Sequence, residues 1–190
     1  MKIVLAESAG FCYGVRRAVE LAEETARAEK NSVMLGYIIH NKDMIDHLEG
    51  LGMSCVEELE AVPAGSTVIV RSHGESRAVH EALAQRGAII RDATCPNVTR
   101  IHKIVSEAEQ RGRIPVIIGT PDHPEVTAIA GWCERPVVLS GEEELAKWLE
   151  KDPNNRDLPL TFVSQTSSTR KIWDSSVKKS KKRVYKHRIF

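Results

Sequence analysis

Apolar residues follow two rhythms along this chain. Short unbroken runs at residues 3–6, 32–36, 37–39, 67–70, 88–90, 114–119, 137–139 and 160–163 alternate with stretches whose apolar positions recur every three or four residues. The runs read as strands buried on both faces, and the periodic stretches read as amphipathic helices. A helix is predicted over residues 15–29, with Val15, Ala18, Val19 and Ala22 inward. The next starts from Asn41 as N-cap, carries Met44, Ile45 and Leu48, and ends at Gly50 or Gly52. Further helices are expected over residues 76–86, from Cys95 to Gly112, from Pro124 to about Trp132, after a capping box at Ser140-Gly141-Glu142-Glu143, and over residues 171–183. Residues 152–157 form a polar loop, and residues 184–190 read as a last strand. Strand and helix alternate nearly throughout, which predicts an α/β fold of repeated small units, each a parallel sheet with helices on both faces. The change of unit is placed at Cys95: residues 1–13 form an N-terminal strand and turn, 14–95 the first unit and 96–190 the second.

Composition narrows the function classes. At 190 residues the chain has room for one large or two small domains. A net charge of +1 sets up no global field for nucleic acid or membrane, and 5% aromatics argue against a stacking surface for single strands. No apolar run approaches membrane-spanning length, and the N-terminus lacks the layout of a signal peptide. A cytoplasmic location is therefore expected. There the four cysteines read as ligands, nucleophiles or core residues rather than as disulfides. The Lys/Arg-rich tail from Arg170 has its charges spaced by Ile172, Trp173 and Val177. It reads as the solvated face of a helix before it reads as a nucleic-acid patch.

Candidate chemistry begins at Cys12. It sits in a glycine-flanked turn, Gly10-Phe11-Cys12-Tyr13-Gly14, between a strand and a helix. A thiol at the mouth of a helix meets the positive end of the macrodipole, which favours the thiolate. Asp92-Ala93-Thr94-Cys95-Pro96 repeats the arrangement, and both cysteines share the spacing Cys-x-x-Val-x-Arg. In open parallel sheets ligands bind beyond the carboxyl ends of the strands. Cys12, Cys95, His40, His73, His123, Glu125 and Thr166 all fall at or just after such ends. Three chemistries fit that set: a cradle for a phosphate or diphosphate, a zinc site without the close ligand pairs of structural zinc, or an iron–sulfur cluster with a third thiolate supplied elsewhere. Cys55 and Cys133 lie outside the repeated pattern and read as inert.

Six motifs in order make a resemblance. Gly10-Phe11-Cys12-Tyr13-Gly14-Val15-Arg16-Arg17-Ala18, Ile39-His40-Asn41, Ser72-His73-Gly74, Asp92-Ala93-Thr94-Cys95-Pro96, His123-Pro124-Glu125-Val126 and Ser164-Gln165-Thr166 resemble the motif series of the IspH/LytB family of 4-hydroxy-3-methylbut-2-enyl diphosphate reductases. The resemblance runs from Met1 to about Trp173. It implies three pseudo-symmetric α/β units around a [4Fe-4S] cluster, with an allylic diphosphate as substrate and reductive loss of its hydroxyl in the non-mevalonate isoprenoid pathway. Carried over by motif, Cys12 and Cys95 would be two of three cluster thiolates, and His40, His73 and His123 would bind the diphosphate. Glu125 would relay protons, and Thr166 would help position the substrate hydroxyl. A ferredoxin or flavodoxin is implied as electron donor, with neither nucleic acid nor membrane as partner.

The same resemblance implies a third unit carrying the third cysteine and a Ser-x-Asn segment that contacts the diphosphate. The chain reaches Phe190 about where the strand to that cysteine would run, and residues 1–13 would pack on that unit. The sequence is therefore expected to be C-terminally truncated. Two function classes follow: the reductase, or a non-catalytic remnant of it retaining an anion-binding cleft. A zinc-binding or basic-tailed nucleic-acid module is the remaining alternative.

Overall fold

The unbroken apolar runs become the inner strands of two parallel sheets. The protein is represented by a computed structural model that describes residues 3, 4, 6, 7, 9–184 and 187–190. In chain order the elements are α1 (Tyr13–Ala28), β1 (Ser32–Leu35), α2 (Lys42–Gly50), β2 (Ser54–Val56), β3 (Thr67–Val70), α3 (Arg77–Gln85), β4 (Ile89–Asp92) and α4 (Pro96–Gln110). They continue with β5 (Ile114–Ile118), α5 (Pro124–Ala130), β6 (Val137–Leu139), α6 (Glu142–Lys151), β7 (Leu160–Ser164), α7 (Arg170–Arg183) and β8 (His187–Ile189). One sheet has the order β2-β1-β3-β4 and the other β6-β5-β7-β8, with every pairing parallel. In both, the second strand flanks the first and the third and fourth follow on the other side, so the two sheets share one topology.

Two compact units result: Met1–Ser72 with Arg86–Cys95, and His73–Gln85 with Pro96–Phe190. In the first, β1 and β3 are buried at every position and pack through Met34 and Ile69 against Ala18, Ala22 and Leu48. In the second, Val116 and Phe162 of β5 and β7 pack against Leu145 and Leu149 of α6. Across β5, Ile117 and Val163 meet Val105, Val126 and Ile129. Each inner strand is thus buried along nearly all of its length, as an unbroken apolar run requires.

Several local features depart from the sequence reading. The run at 37–39 bends instead of forming a strand, because Gly36 takes φ +66 and turns the chain after Leu35. Ile38 and Ile39 stay buried nonetheless. The edge strand β2 was not expected from the sequence. Ile3 and Val4 are exposed and outside regular structure, and Leu5 of that expected strand lies outside the described residues, as do Tyr185 and Lys186 of the last one. At α6 the N-cap is Gly141, and Glu144 rather than Glu143 reaches back, accepting from the Ser140 backbone N–H at 2.7 Å. The contiguous division 14–95 and 96–190 is corrected in one segment: residues 73–85 group with the second unit. The reason is a set of contacts from that segment to Gly131, Trp132 and Ser106.

Asn41 caps α2 as expected, its Oδ1 accepting from the Met44 backbone N–H at 3.0 Å. Asn41→Ala is expected to cost about 1 kcal/mol of stability in a denaturant titration.

Candidate active site

All strands of a parallel sheet deliver their carboxyl ends to one edge, and the chemically distinctive residues of each unit gather there. In the first unit, backbone and hydroxyl bonds tie three successive strand ends together. Ser72, buried after β3, donates from N–H and Oγ to the Ile38 carbonyl at 3.2 and 2.9 Å, and its own carbonyl accepts from Cys95 N–H at 3.0 Å. His40 follows Ile38 on this edge. It is exposed on a cleft of about 460 Å³ that Tyr37, Asn41 and Lys42 also line.

Cys12 is the N-cap of α1, exposed and outside any disulfide. Cys95 directly precedes α4 and lies against α1's first turn: a Cβ built on Gly14 would stand 2.6 Å from its Sγ. Only a residue without a side chain leaves room for that sulfur two positions after Cys12. Arg17 of α1 grips the same turn, donating from Nη1 to the Thr94 carbonyl at 3.2 Å. Asp92 Oδ1 accepts from Thr94 N–H at 2.9 Å and also from its hydroxyl. The echo between Cys12 and Cys95 therefore has a physical basis within the first unit: Cys95 lies against the first turn of the helix that Cys12 caps. This soft donor pair fits two positions of a thiolate-ligated iron–sulfur group. Among the described residues there is no group of three or more His, Cys, Asp or Glu side chains that could hold a metal ion.

The other two cysteines sit elsewhere. Burial pushes the Cys133 thiol up to about 12, with the nearby Glu109 carboxylate adding to the shift. Burial raises that of Cys55 on β2 as well. Both are thiols at neutral pH. In a timed iodoacetamide reaction followed by peptide mass spectrometry, the exposed Cys12 is expected to alkylate first and Cys133 only on unfolding. Equal rates for the two would overturn that order. In the unfolded chain Cys133 ionises near 9.0, whereas in the fold it keeps its proton until about 12. The folded state thus binds the extra proton across this window, and stability falls as pH rises through it.

In the second unit four of the sequence-selected residues form one contiguous cluster. His123 caps α5 with its ring, Nδ1 accepting from the Glu125 backbone N–H at 3.1 Å. The rings of His73 and His123 meet edge to face with centroids 5.9 Å apart. Glu125 is 3% exposed, and its carboxylate accepts from the Thr166 hydroxyl at 2.8 Å and from the Thr166 backbone N–H. Thr166, at the end of β7, opens on a cleft of about 590 Å³ lined also by Arg100, Gln165, Ser168 and Trp173. Gly119, at the end of β5, has no room for a Cβ, which would meet Val126 at 2.7 Å and Gln165 at 2.9 Å. Gln165 in turn accepts from Thr120 N–H at 3.0 Å, which fastens the β5 and β7 ends together.

Sequence reasoning missed the residues that hold these groups in place. Ser72, Arg17 and Gly14 lay within the quoted motifs, yet nothing in their spacing revealed that all three serve Cys95.

Taken together, the two sheets define a duplicated α/β protein that carries a thiol pair on one unit and an imidazole–carboxylate cluster on the other. Among the described residues no helix is long and apolar enough to cross a membrane. The chain belongs to the LytB protein family, whose model matches residues 3–190. It is 38% identical to the 4-hydroxy-3-methylbut-2-enyl diphosphate reductase of Caldanaerobacter subterraneus subsp. tengcongensis, over 97% of this chain and 65% of that protein. It is 40% identical to the enzyme of that name from Geobacter sulfurreducens, over 89% and 58%. A solved structure of (E)-4-hydroxy-3-methyl-but-2-enyl diphosphate reductase, described as the terminal enzyme of the non-mevalonate pathway, is similar with a TM-score of 0.85 at 32% identity, over 99% of this chain and 66% of that one. The Plasmodium falciparum reductase structure is similar with a TM-score of 0.83 at 26% identity, over 96% and 57%. The chain thus spans less than two thirds of the length of these curated relatives.

Proposed function

We propose that this chain carries two thirds of a reductive dehydroxylation centre for 4-hydroxy-3-methylbut-2-enyl diphosphate, forming isopentenyl and dimethylallyl diphosphate in the cytoplasm. Cys12 and Cys95 would hold a [4Fe-4S] cluster, with the third thiolate coming from outside these 190 residues. When bound, such a cluster supplies electrons, delivered by a donor such as a ferredoxin or flavodoxin, and a Lewis-acidic open iron. His40, His73 and His123 would hold the diphosphate by N–H donation and, when protonated, by charge. The allylic C–O bond breaks and a C–H bond forms, consuming two electrons and two protons and releasing water. Glu125 gives one of those protons to the departing hydroxyl, and Thr166 orients the carboxyl group that gives it.

The observation that carries this reading is Glu125. It is a nearly inaccessible carboxylate held by both donors of Thr166 and joined through its own N–H to a histidine that touches a second histidine. A buried carboxyl group beside paired imidazoles suits protonation of a leaving group next to a bound anion. Calorimetric titration with inorganic diphosphate tests the anion half. The unmodified chain is expected to bind, and the triple variant His40→Ala, His73→Ala, His123→Ala to lose binding by at least tenfold. Equal affinity in the two proteins would sink the reading.

For the chain by itself a second reading is favoured by the raised thiols of Cys55 and Cys133, which leave two cysteines available as ligands. On that reading it is a non-catalytic protein that keeps the anion-binding cluster.

A further inference from the structure

The loop after His73 is fastened by a residue outside all six motifs. Trp132, just beyond the C-terminal end of α5, donates from Nε1 to the Glu75 carbonyl at 2.9 Å. The adjacent Gly131 carbonyl accepts from Arg77 N–H at 3.3 Å. Gly131 itself is pressed so close that an added Cβ would fall 2.3 Å from Ser76 Cβ and 3.1 Å from its Cα. The Trp132 ring is held in turn: it stacks on the His102 ring at 5.0 Å and 18°, meets His80 at 5.8 Å, and lies 5.5 Å beneath the Arg77 guanidinium. That guanidinium also donates to Ser106 Oγ at 2.7 Å. All these groups belong to the second unit.

The consequence lies at the other end of α5. Its N-terminal end presents His123 and Glu125, and its C-terminal end holds the backbone two residues after His73. A single seven-residue helix is therefore joined at one end to His123 and at the other to the segment that follows His73. The residue after His73, Gly74 at φ +83, adds no side chain to its edge-to-face contact with His123. We infer that Trp132 is a positioning residue: by clamping residues 75–77 to the end of α5, it holds His73 against His123 in an anion-binding geometry. The inference rests on the reading of these histidines as diphosphate ligands.

Trp132→Phe keeps the stacking ring and removes the N–H donor. Gly131→Ala keeps the tryptophan and drives a methyl group into Ser76, and at φ −69 the alanine itself is unstrained. Both variants should speed amide hydrogen exchange at residues 74–77 and shift the His73 imidazole resonances. Both should also weaken inorganic diphosphate binding roughly threefold to tenfold, the worth of one hydrogen bond. Leu149→Ala, which opens a cavity in the α6 cluster of the same unit, controls for general destabilisation and should leave diphosphate affinity unchanged. Unchanged exchange and unchanged His73 resonances in both variants would overturn the clamp. Faster exchange with unaltered diphosphate affinity, where His73→Asn does weaken binding, would overturn the positioning role. If His73→Asn leaves affinity intact, the diphosphate reading of that residue fails instead, and the clamp stands or falls on the exchange and resonance data.

Discussion

Reconstituted anaerobically with iron and sulfide, the 190-residue chain is expected to show no stable cluster absorbance and no turnover of 4-hydroxy-3-methylbut-2-enyl diphosphate. The donor chemistry decides this. On the proposed reading Cys12 and Cys95 would supply two soft ligands from the first unit, where Gly14 leaves room for the Cys95 sulfur against α1. A third thiolate would have to come from Cys55 or Cys133. Burial holds both as thiols, and Cys133 gives up its proton only near pH 12. Ligation would then require a local opening of the fold as well as deprotonation. More than a third of the length of each of these relatives is not matched by this chain. Joining the corresponding remainder of the Geobacter sulfurreducens relative to Phe190 should restore both the visible absorbance and the turnover. Robust absorbance with turnover from the 190 residues alone would defeat the proposal, and so would a fusion that binds iron and sulfide yet remains inactive.

What could be read from the sequence divides along burial. The inner strands β1, β3, β5 and β7 are continuous apolar runs because they are buried at nearly every position, so pattern alone located them and gave the parallel α/β class. The edge strand β2 escaped notice. Ser54 is exposed and its two neighbours only half-buried, so three residues show neither an apolar run nor an alternation. The run at 37–39 misled in the opposite direction. Ile38 and Ile39 are apolar because they are buried, yet Gly36 has already turned them out of the sheet. At the candidate site, the strand-end rule put the selected residues at the carboxyl edges, where the fold has them. It could not show that Glu125 and Thr166, 41 positions apart, are direct partners, because that pairing is set by the adjacency of β5 and β7. Nor could it show that residues 73–85 group with the second unit, since a half-buried tryptophan outside every motif makes the connection.

That Glu125–Thr166 pairing carries the second large effect. In the fusion with the relative's remaining segment, Glu125→Gln should lower kcat by about a hundredfold to ten-thousandfold, the usual worth of a positioned general acid. The amide is nearly isosteric and can still accept from the Thr166 hydroxyl, so inorganic diphosphate affinity should stay within about twofold and the fold should survive. Some stability is lost nonetheless. The carboxylate accepts from both the N–H and the hydroxyl of Thr166, and an amide NH2 turned toward either donor leaves it unsatisfied, a cost of about 1–3 kcal/mol. Thr166→Val separates the two contributions. It keeps the backbone donor and removes the hydroxyl, so the acid remains but is less well oriented, and kcat should fall by a smaller factor than for Glu125→Gln. A Glu125→Gln enzyme that keeps its kcat would remove Glu125 from proton delivery. Equal losses in both variants would instead assign the effect to orientation of the pair.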